Sequence, residues 1–361
     1  MNPLVQLTTH GQSIWLDNLS RTLLREGGLQ RLVEQDGVSG VTSNPTIFFK
    51  AISESPYYKD DFARLKNETA LTAEQRYEAM AIPDIQAACD LLRAKYDATG
   101  GDDGYVSLEV SPALAHDAEG TVAAGLRLKA AIARPNLLIK VPATSAGILA
   151  IEGLIAQGCS VNVTLMFSLD HVRDVAGAYI RGLERWVKAG GDPRTIKSVA
   201  SVFLSRVDTL VDKQLDALGG DATAIKGRTG VALAKLAYEE YKTIFRGPLF
   251  KSLAAQGARP QYMLWASTGT KNAAYSDVMY VEPLIGPQTV NTLPDGTLAA
   301  FRDHGKPANT LEQDTHLARE QFAALGRLGI EMGKVGHQLQ QEGLKLFEDS
   351  FAQLLALCGS K

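Results

Sequence analysis

The run Asn136-Leu137-Leu138-Ile139-Lys140-Val141-Pro142-Ala143-Thr144 sets a single cation near the C-terminal end of an otherwise apolar strand. A lysine between Ile139 and Val141 leaves bulk water, and desolvation disfavours an ammonium ion, so a free amine becomes available near neutral pH. Such an amine can add to a carbonyl substrate and condense to a Schiff base. A strand-end lysine that simply reaches solvent is the commoner occurrence, so the chemistry has to be argued from what the rest of the chain brings to the same place.

The chain brings a specific set of polar residues to the ends of other apolar segments. Asp17 closes the first, Asn44 follows the second, Glu109 lies near the end of the third, and Asn162 and Thr164 lie in the fifth. Ser201 lies in the sixth and Ser267 just after the seventh. Each has an ordinary explanation: Asp17-Asn18-Leu19-Ser20 as a helix cap, Asn44-Pro45 as a turn, Asn162 and Thr164 as interior groups bonded to neighbours. Gathered at one end of one fold they are hard to explain by packing. Two acids and a lysine among apolar strands make a charged interior that costs stability and is kept for function.

Positioning them requires alternating strands and helices, the pattern of a parallel α/β fold. Strands are expected at Ser13–Asp17, Gly40–Ser43, Tyr105–Val110, Leu137–Val141, Ser160–Phe167, Ser198–Leu204, Tyr262–Ala266 and Val278–Glu282. Eight is the count that closes a (β/α)8 TIM barrel, in which chemistry gathers at the C-terminal ends of the strands. Helical spacing marks Leu19–Gln35, Thr72–Tyr96, Asp117–Ala133, Ser145–Gln157, Leu169–Ala189 and Val231–Leu253, with a capping box at Thr72-Ala73-Glu74-Gln75 and a cap at Ser168. Leu344, Phe347, Phe351, Leu354 and Leu355 predict an additional C-terminal helix laid on the barrel, with plain packing as its role. The stretch Asn291–Asn309, rich in Pro, Gly and Asp, is expected to be loop. The segment Phe48–Leu71 and the tail beyond Phe301 are open to two readings, a subunit contact or a lid.

Composition sets the frame. The 361 residues, 45% hydrophobic and 21% charged, are enough to bury one large core, and no linker or internal repeat divides residues 1–361, so a single barrel domain is expected. A net charge of -3 makes no case for nucleic acid or an anionic membrane surface. No apolar run reaches the length of a membrane span and the first residues are not charged-then-apolar, so neither a membrane span nor a signal peptide is expected. Cys89, Cys159 and Cys358 are odd in number and scattered, which points to reduced thiols in the cytoplasm. The six histidines form no metal-binding repeat, so no metal is expected.

The runs Gly40-Val41-Thr42-Ser43-Asn44-Pro45-Thr46-Ile47-Phe48 and Leu137-Leu138-Ile139-Lys140-Val141-Pro142-Ala143-Thr144-Ser145-Ala146-Gly147-Ile148 resemble the two signature motifs of the transaldolase family. The resemblance continues through Trp15-Leu16-Asp17, Ser107-Leu108-Glu109-Val110, the run from Val161 to Ser168, and Ser201-Val202-Phe203-Leu204-Ser205-Arg206. The run from Leu264 to Asn272 resembles the longer bacterial branch of that family.

The resemblance implies a transferase of the non-oxidative pentose phosphate pathway, without a cofactor. It would move a dihydroxyacetone unit from sedoheptulose 7-phosphate or fructose 6-phosphate to an aldose phosphate, glyceraldehyde 3-phosphate or erythrose 4-phosphate. Sugar phosphates are then its partners, and a homodimer is the assembly allowed for. By the family pattern Lys140 is the Schiff-base lysine and Glu109 the proton shuttle, working through a water held by Thr164. Asp17 takes the proton from the hydroxyl on the fourth carbon, and Asn44 and Asn162 hold the hydroxyls of the three-carbon unit. Thr42, Ser201, Phe203, Arg206, Ser267 and Lys271 complete the expected binding site, with Arg206 on phosphate. Where shorter members carry Ser-Phe-Arg-Asn, this chain has Ser267-Thr268-Gly269-Thr270-Lys271-Asn272, and Lys271 supplies charge without a bidentate fork. Lys226 and Arg228 are basic alternatives. Gly269-Thr270-Lys271 resembles part of a nucleotide P-loop but lacks its first glycine. Two rival activities stand beside transfer: an aldolase that releases dihydroxyacetone, and a barrel that binds phosphosugars without turning them over.

Overall fold

The computed structural model describes residues 2–359. Eight parallel strands close into a barrel in sequence order: β1 (Gln12–Leu16), β2 (Val38–Val41), β3 (Val106–Glu109), β4 (Leu137–Pro142), β5 (Val161–Met166), β6 (Ser198–Phe203), β7 (Tyr262–Ala266) and β8 (Thr289–Leu293). Every residue of β4, β5, β6 and β8 is buried, as expected where one face packs into the barrel and the other against surrounding helices. Closure comes from β1 against β8, with Gln12 opposite Thr289 and Leu16 opposite Leu293.

The eighth strand corrects the sequence reading. Val278–Glu282 is a buried turn leading into a short 3-10 segment at Glu282–Leu284, and the strand is Thr289–Leu293. The polar residues of this strand have buried partners. Gln12 Nε2 donates to Thr289 Oγ1 at 3.0 Å, Asn291 Nδ2 donates to the Tyr280 carbonyl at 3.0 Å, and Thr292 meets Thr42 hydroxyl to hydroxyl at 2.7 Å. Loop was also expected through Asn309, but Asp295–His304 is a helix that buries Leu298 and Phe301.

Two expected helices are each divided in two. Leu19–Gln35 becomes Arg21–Arg25 and Gly28–Asp36, because Gly27 takes a left-handed φ of 69° between them. Val231–Leu253 becomes Thr229–Phe245 and Pro248–Ala255, because Pro248 can start a helix but not continue one. The caps at Thr72 and Ser168 form as expected: Thr72 and Gln75 bond reciprocally, and Ser168 Oγ accepts from the His171 N–H at 3.2 Å.

The last helix, Met332–Gly359, packs along Pro45–Glu54 and Ala73–Ala98 and reaches the end of β5. Gln340 Nε2 donates to the carbonyls of Ala143, just past β4, at 2.8 Å and Leu165 at 3.2 Å. Ser350 accepts from Thr46 at 2.8 Å. The helix therefore covers one side of the barrel mouth, which is more than the plain packing its apolar spacing predicts. Among the described residues no helix is long and apolar enough to cross a membrane.

Candidate functional site

The C-terminal ends of the strands surround a cavity of about 230 Å³. Register places its central pair: Lys140 on β4 lies opposite Glu109 on β3 and Asn162 on β5. Lys140 is 5% exposed, and its Nζ donates to the Ser43 carbonyl at 3.1 Å and stands 3.2 Å from Glu109 Oε2. The ion pair lacks hydrogen-bond alignment, so among the described residues no donor bonds to the buried Oε2. Burial raises the Glu109 carboxyl above its ordinary range, and the charge of Lys140 opposes that rise.

Asp17 stands directly after β1 and accepts from Thr42 Oγ1 at 2.8 Å. Ser20, not Asp17, caps the helix that follows. Burial raises the Asp17 carboxyl, with Lys140 and the Thr42 hydroxyl pulling it down. Two carboxyls whose burial favours the protonated form thus lie within the field of one lysine, an arrangement suited to moving protons.

Thr164 is fully buried on β5 and lines the cavity, and its Oγ1 has no hydrogen-bond partner among the described residues. The strand is irregular here: register slips between Val163 and Met166, and Leu165 adopts a left-handed φ of 57°. A bulge of this kind re-aims side chains beside a site. Ser267, at a left-handed φ of 54° after β7, meets Ser205 hydroxyl to hydroxyl at 2.7 Å.

All the residues expected from the sequence line this one cavity except Glu109 and Asn162. Glu109 lies behind Lys140 in a smaller space with Tyr77 and Phe351. Asn162 has both ends of its amide engaged, donating to Ser107 Oγ at 3.0 Å and accepting from Ser201 Oγ at 2.7 Å. Asn44 caps the helix Pro45–Glu54 by accepting from the Ile47 N–H at 2.9 Å, which leaves its Nδ2 free to donate into the cavity.

Two cations line the cavity from the ends of neighbouring strands, β6 and β7. Arg206 opens the helix after β6, lies 5.6 Å from the Phe203 ring centre, and makes no hydrogen bond or ion pair among the described residues. Burial pulls its guanidinium down, with Glu342 opposing. Lys271 extends from the loop after β7 and is exposed. The basic alternatives lie elsewhere: Lys226 pairs with Asp216 at 2.6 Å, and Arg228 lines a separate cleft beside Val231 and Lys235. Gly269-Thr270-Lys271 opens no helix, so it forms no phosphate-cradling P-loop.

Sequence reasoning missed the Ser43 carbonyl on Lys140, Thr292 from the unrecognised eighth strand, and Phe347 from the C-terminal helix. Helical spacing marked Phe347 as buried, but spacing alone does not say what it is buried against.

Residues 14–358 match the family described as transaldolase/fructose-6-phosphate aldolase. A Thiobacillus denitrificans protein named transaldolase is 53% identical over 99% of this chain and 100% of its own length. Transaldolases of Neisseria gonorrhoeae and Frankia alni are 50% and 48% identical, each over at least 96% of both chains.

Proposed function

The chain belongs to the transaldolase/fructose-6-phosphate aldolase family, with the activity of a transaldolase, a transferase; we propose that Lys140 is its nucleophile and that Glu109 and Asp17 divide the proton transfers between them. The observation that carries this assignment is the buried Lys140–Glu109 contact of 3.2 Å at the ends of adjacent strands.

The Lys140 amine adds to the ketone carbon of a ketose phosphate and gives a carbinolamine. Glu109 delivers the proton with which the hydroxyl leaves as water, forming the iminium that serves as electron sink. The unpartnered Thr164 hydroxyl is suited to hold that water. Asp17 then takes the proton from the hydroxyl on the fourth carbon, the bond between the third and fourth carbons breaks, and the first aldehyde leaves. The enamine retained on Lys140 attacks the acceptor aldehyde, and the steps reverse.

Asn44 donates through Nδ2 to a hydroxyl of the three-carbon unit, while Asn162 acts at one remove by holding Ser201. Arg206, which forms no ion pair among the described residues, is the phosphate anchor, and Lys271 and Ser267 assist from the β7 loop. The buried, unpaired Cys89, Cys159 and Cys358 suit a cytosolic setting.

Incubation with fructose 6-phosphate followed by borohydride reduction and peptide mass spectrometry tests the nucleophile. A three-carbon adduct is expected on Lys140 and none on Lys140→Ala. An adduct on another lysine, or none on folded protein that binds the sugar, would remove Lys140 from the role.

A further inference from the structure

The C-terminal helix contributes Phe347 to the wall of the cavity. Its ring centre is 5.7 Å from Lys140 Nζ and 6.0 Å from the Arg206 guanidinium carbon, and the residue is 4% exposed. The ring is held in place rather than draped over the site. One turn before it, Gly343 lets the helix approach closely: a Cβ there would lie 2.8 Å from the Leu165 side chain and 3.3 Å from Arg206. Gln340 fastens the same helix to the carbonyls of Ala143 and Leu165. One turn beyond, Phe351 packs edge-on against Tyr77 at 5.8 Å.

On the Schiff-base reading above, the enamine held on Lys140 has two fates. It can attack an acceptor aldehyde, which is transfer. Alternatively, it takes a proton from water on its nucleophilic carbon, water adds to the resulting iminium carbon, and the carbon–nitrogen bond breaks to return the Lys140 amine and free dihydroxyacetone. Both fates end with water adding to an iminium carbon on Lys140; release alone needs bulk water to protonate the enamine's nucleophilic carbon before an acceptor arrives, and transfer alone needs the acceptor phosphate held by a fixed cation.

We propose that Phe347 is a specificity-determining residue that favours transfer over release, because its ring fills space in the cavity wall from which bulk water would protonate the enamine, and braces the Arg206 guanidinium. An aromatic face suits both tasks. It offers water no hydrogen bond, and its quadrupole attracts the iminium and guanidinium cations at its edges of the cavity.

The test uses the full chain and the series Phe347→Leu, Phe347→Val and Phe347→Ala. Dihydroxyacetone release from fructose 6-phosphate alone is compared with transfer to erythrose 4-phosphate, and borohydride trapping on Lys140 is run in parallel. The ratio of release to transfer should climb along the series as the ring's space empties, by about tenfold at alanine, equivalent to about 1.4 kcal/mol in relative barrier. Release should rise in absolute rate, which general loosening of the fold would not cause. A ratio that stays flat among the folded variants, with Lys140 still trapped, overturns the role of Phe347. Failure of the unmodified chain to trap at Lys140 overturns the Schiff-base reading instead.

Discussion

Replacing Asp208 by Asn should remove a pH-dependent loss of stability of about 3 kcal/mol. Asp208 lies one turn into the helix opened by Arg206 and is 2% exposed. Its Oδ1 accepts from the backbone N–H groups of Thr229 at 2.8 Å and Gly230 at 3.0 Å, and its Oδ2 accepts from the Tyr280 hydroxyl at 2.8 Å. Burial nevertheless raises the carboxyl from 3.8 to about 6, against the pull of those donors. Below about pH 4 both folded and unfolded chains hold the proton and the group is neutral in the balance. As pH rises toward 6 the unfolded chain releases its proton first, so stability falls, and above the folded value the loss is complete. That interval is worth about 3 kcal/mol, at about 1.36 kcal/mol for each tenfold change in proton affinity. Asparagine keeps the shape: its oxygen accepts from both N–H groups, and its amide donates to the Tyr280 oxygen. Urea unfolding of Asp208→Asn and the unmodified chain, measured side by side from about pH 4 to about pH 8, isolates this group from the other buried carboxyls, which both proteins share. The variant should gain on the parent by about 3 kcal/mol across the interval, with the midpoint of the gain between the two proton affinities. A difference that stays constant with pH would refute the reasoning.

Asp17→Asn keeps an acceptor for Thr42 but no base, so it should still trap a sugar on Lys140 while turnover falls by about 10² to 10⁴, the usual contribution of a general base; normal cleavage of fructose 6-phosphate by this variant would remove Asp17 from its step. Gln340→Ala strips a donor from two buried carbonyls and should cost about 2–4 kcal/mol in urea unfolding. Leu346→Ala on the same helix, at a residue 53% exposed, should stay within about 0.5 kcal/mol of the parent, and equal stabilities for the two variants would show that Gln340 does not fasten the helix.

Seven of the eight strands are legible in the sequence because each is a short apolar run ending in a polar residue or a turn. The eighth is not. Thr289, Asn291 and Thr292 have the composition of a loop, and only partners from β1, β2 and Tyr280 make them inexpensive to bury. Val278 and Tyr280 attract the strand assignment because they are apolar and spaced by two, yet they pack outside the barrel. Gly27 and Pro248 carry the helix breaks in their residue types, but the apolar spacing runs on across both and masks them.

For the site, side-chain type and strand-end position determine much by themselves. Lys140, Glu109 and Asp17 are adjacent to apolar strand ends whatever surrounds them, and parallel strands must deliver those ends to one face. What each side chain is free to do was decided by tertiary structure. Asn162 and Asn44 are the same residue type, but Asn162 is consumed between Ser107 and Ser201 while Asn44 keeps its amide for a ligand. Phe347 is a buried position on an amphipathic helix by spacing, and becomes a wall of the site only because that helix crosses the barrel mouth. Local spacing dictates which residues turn inward; hydrogen-bond occupancy and the identity of the neighbour depend on contacts between elements tens to hundreds of residues apart, which no local pattern encodes.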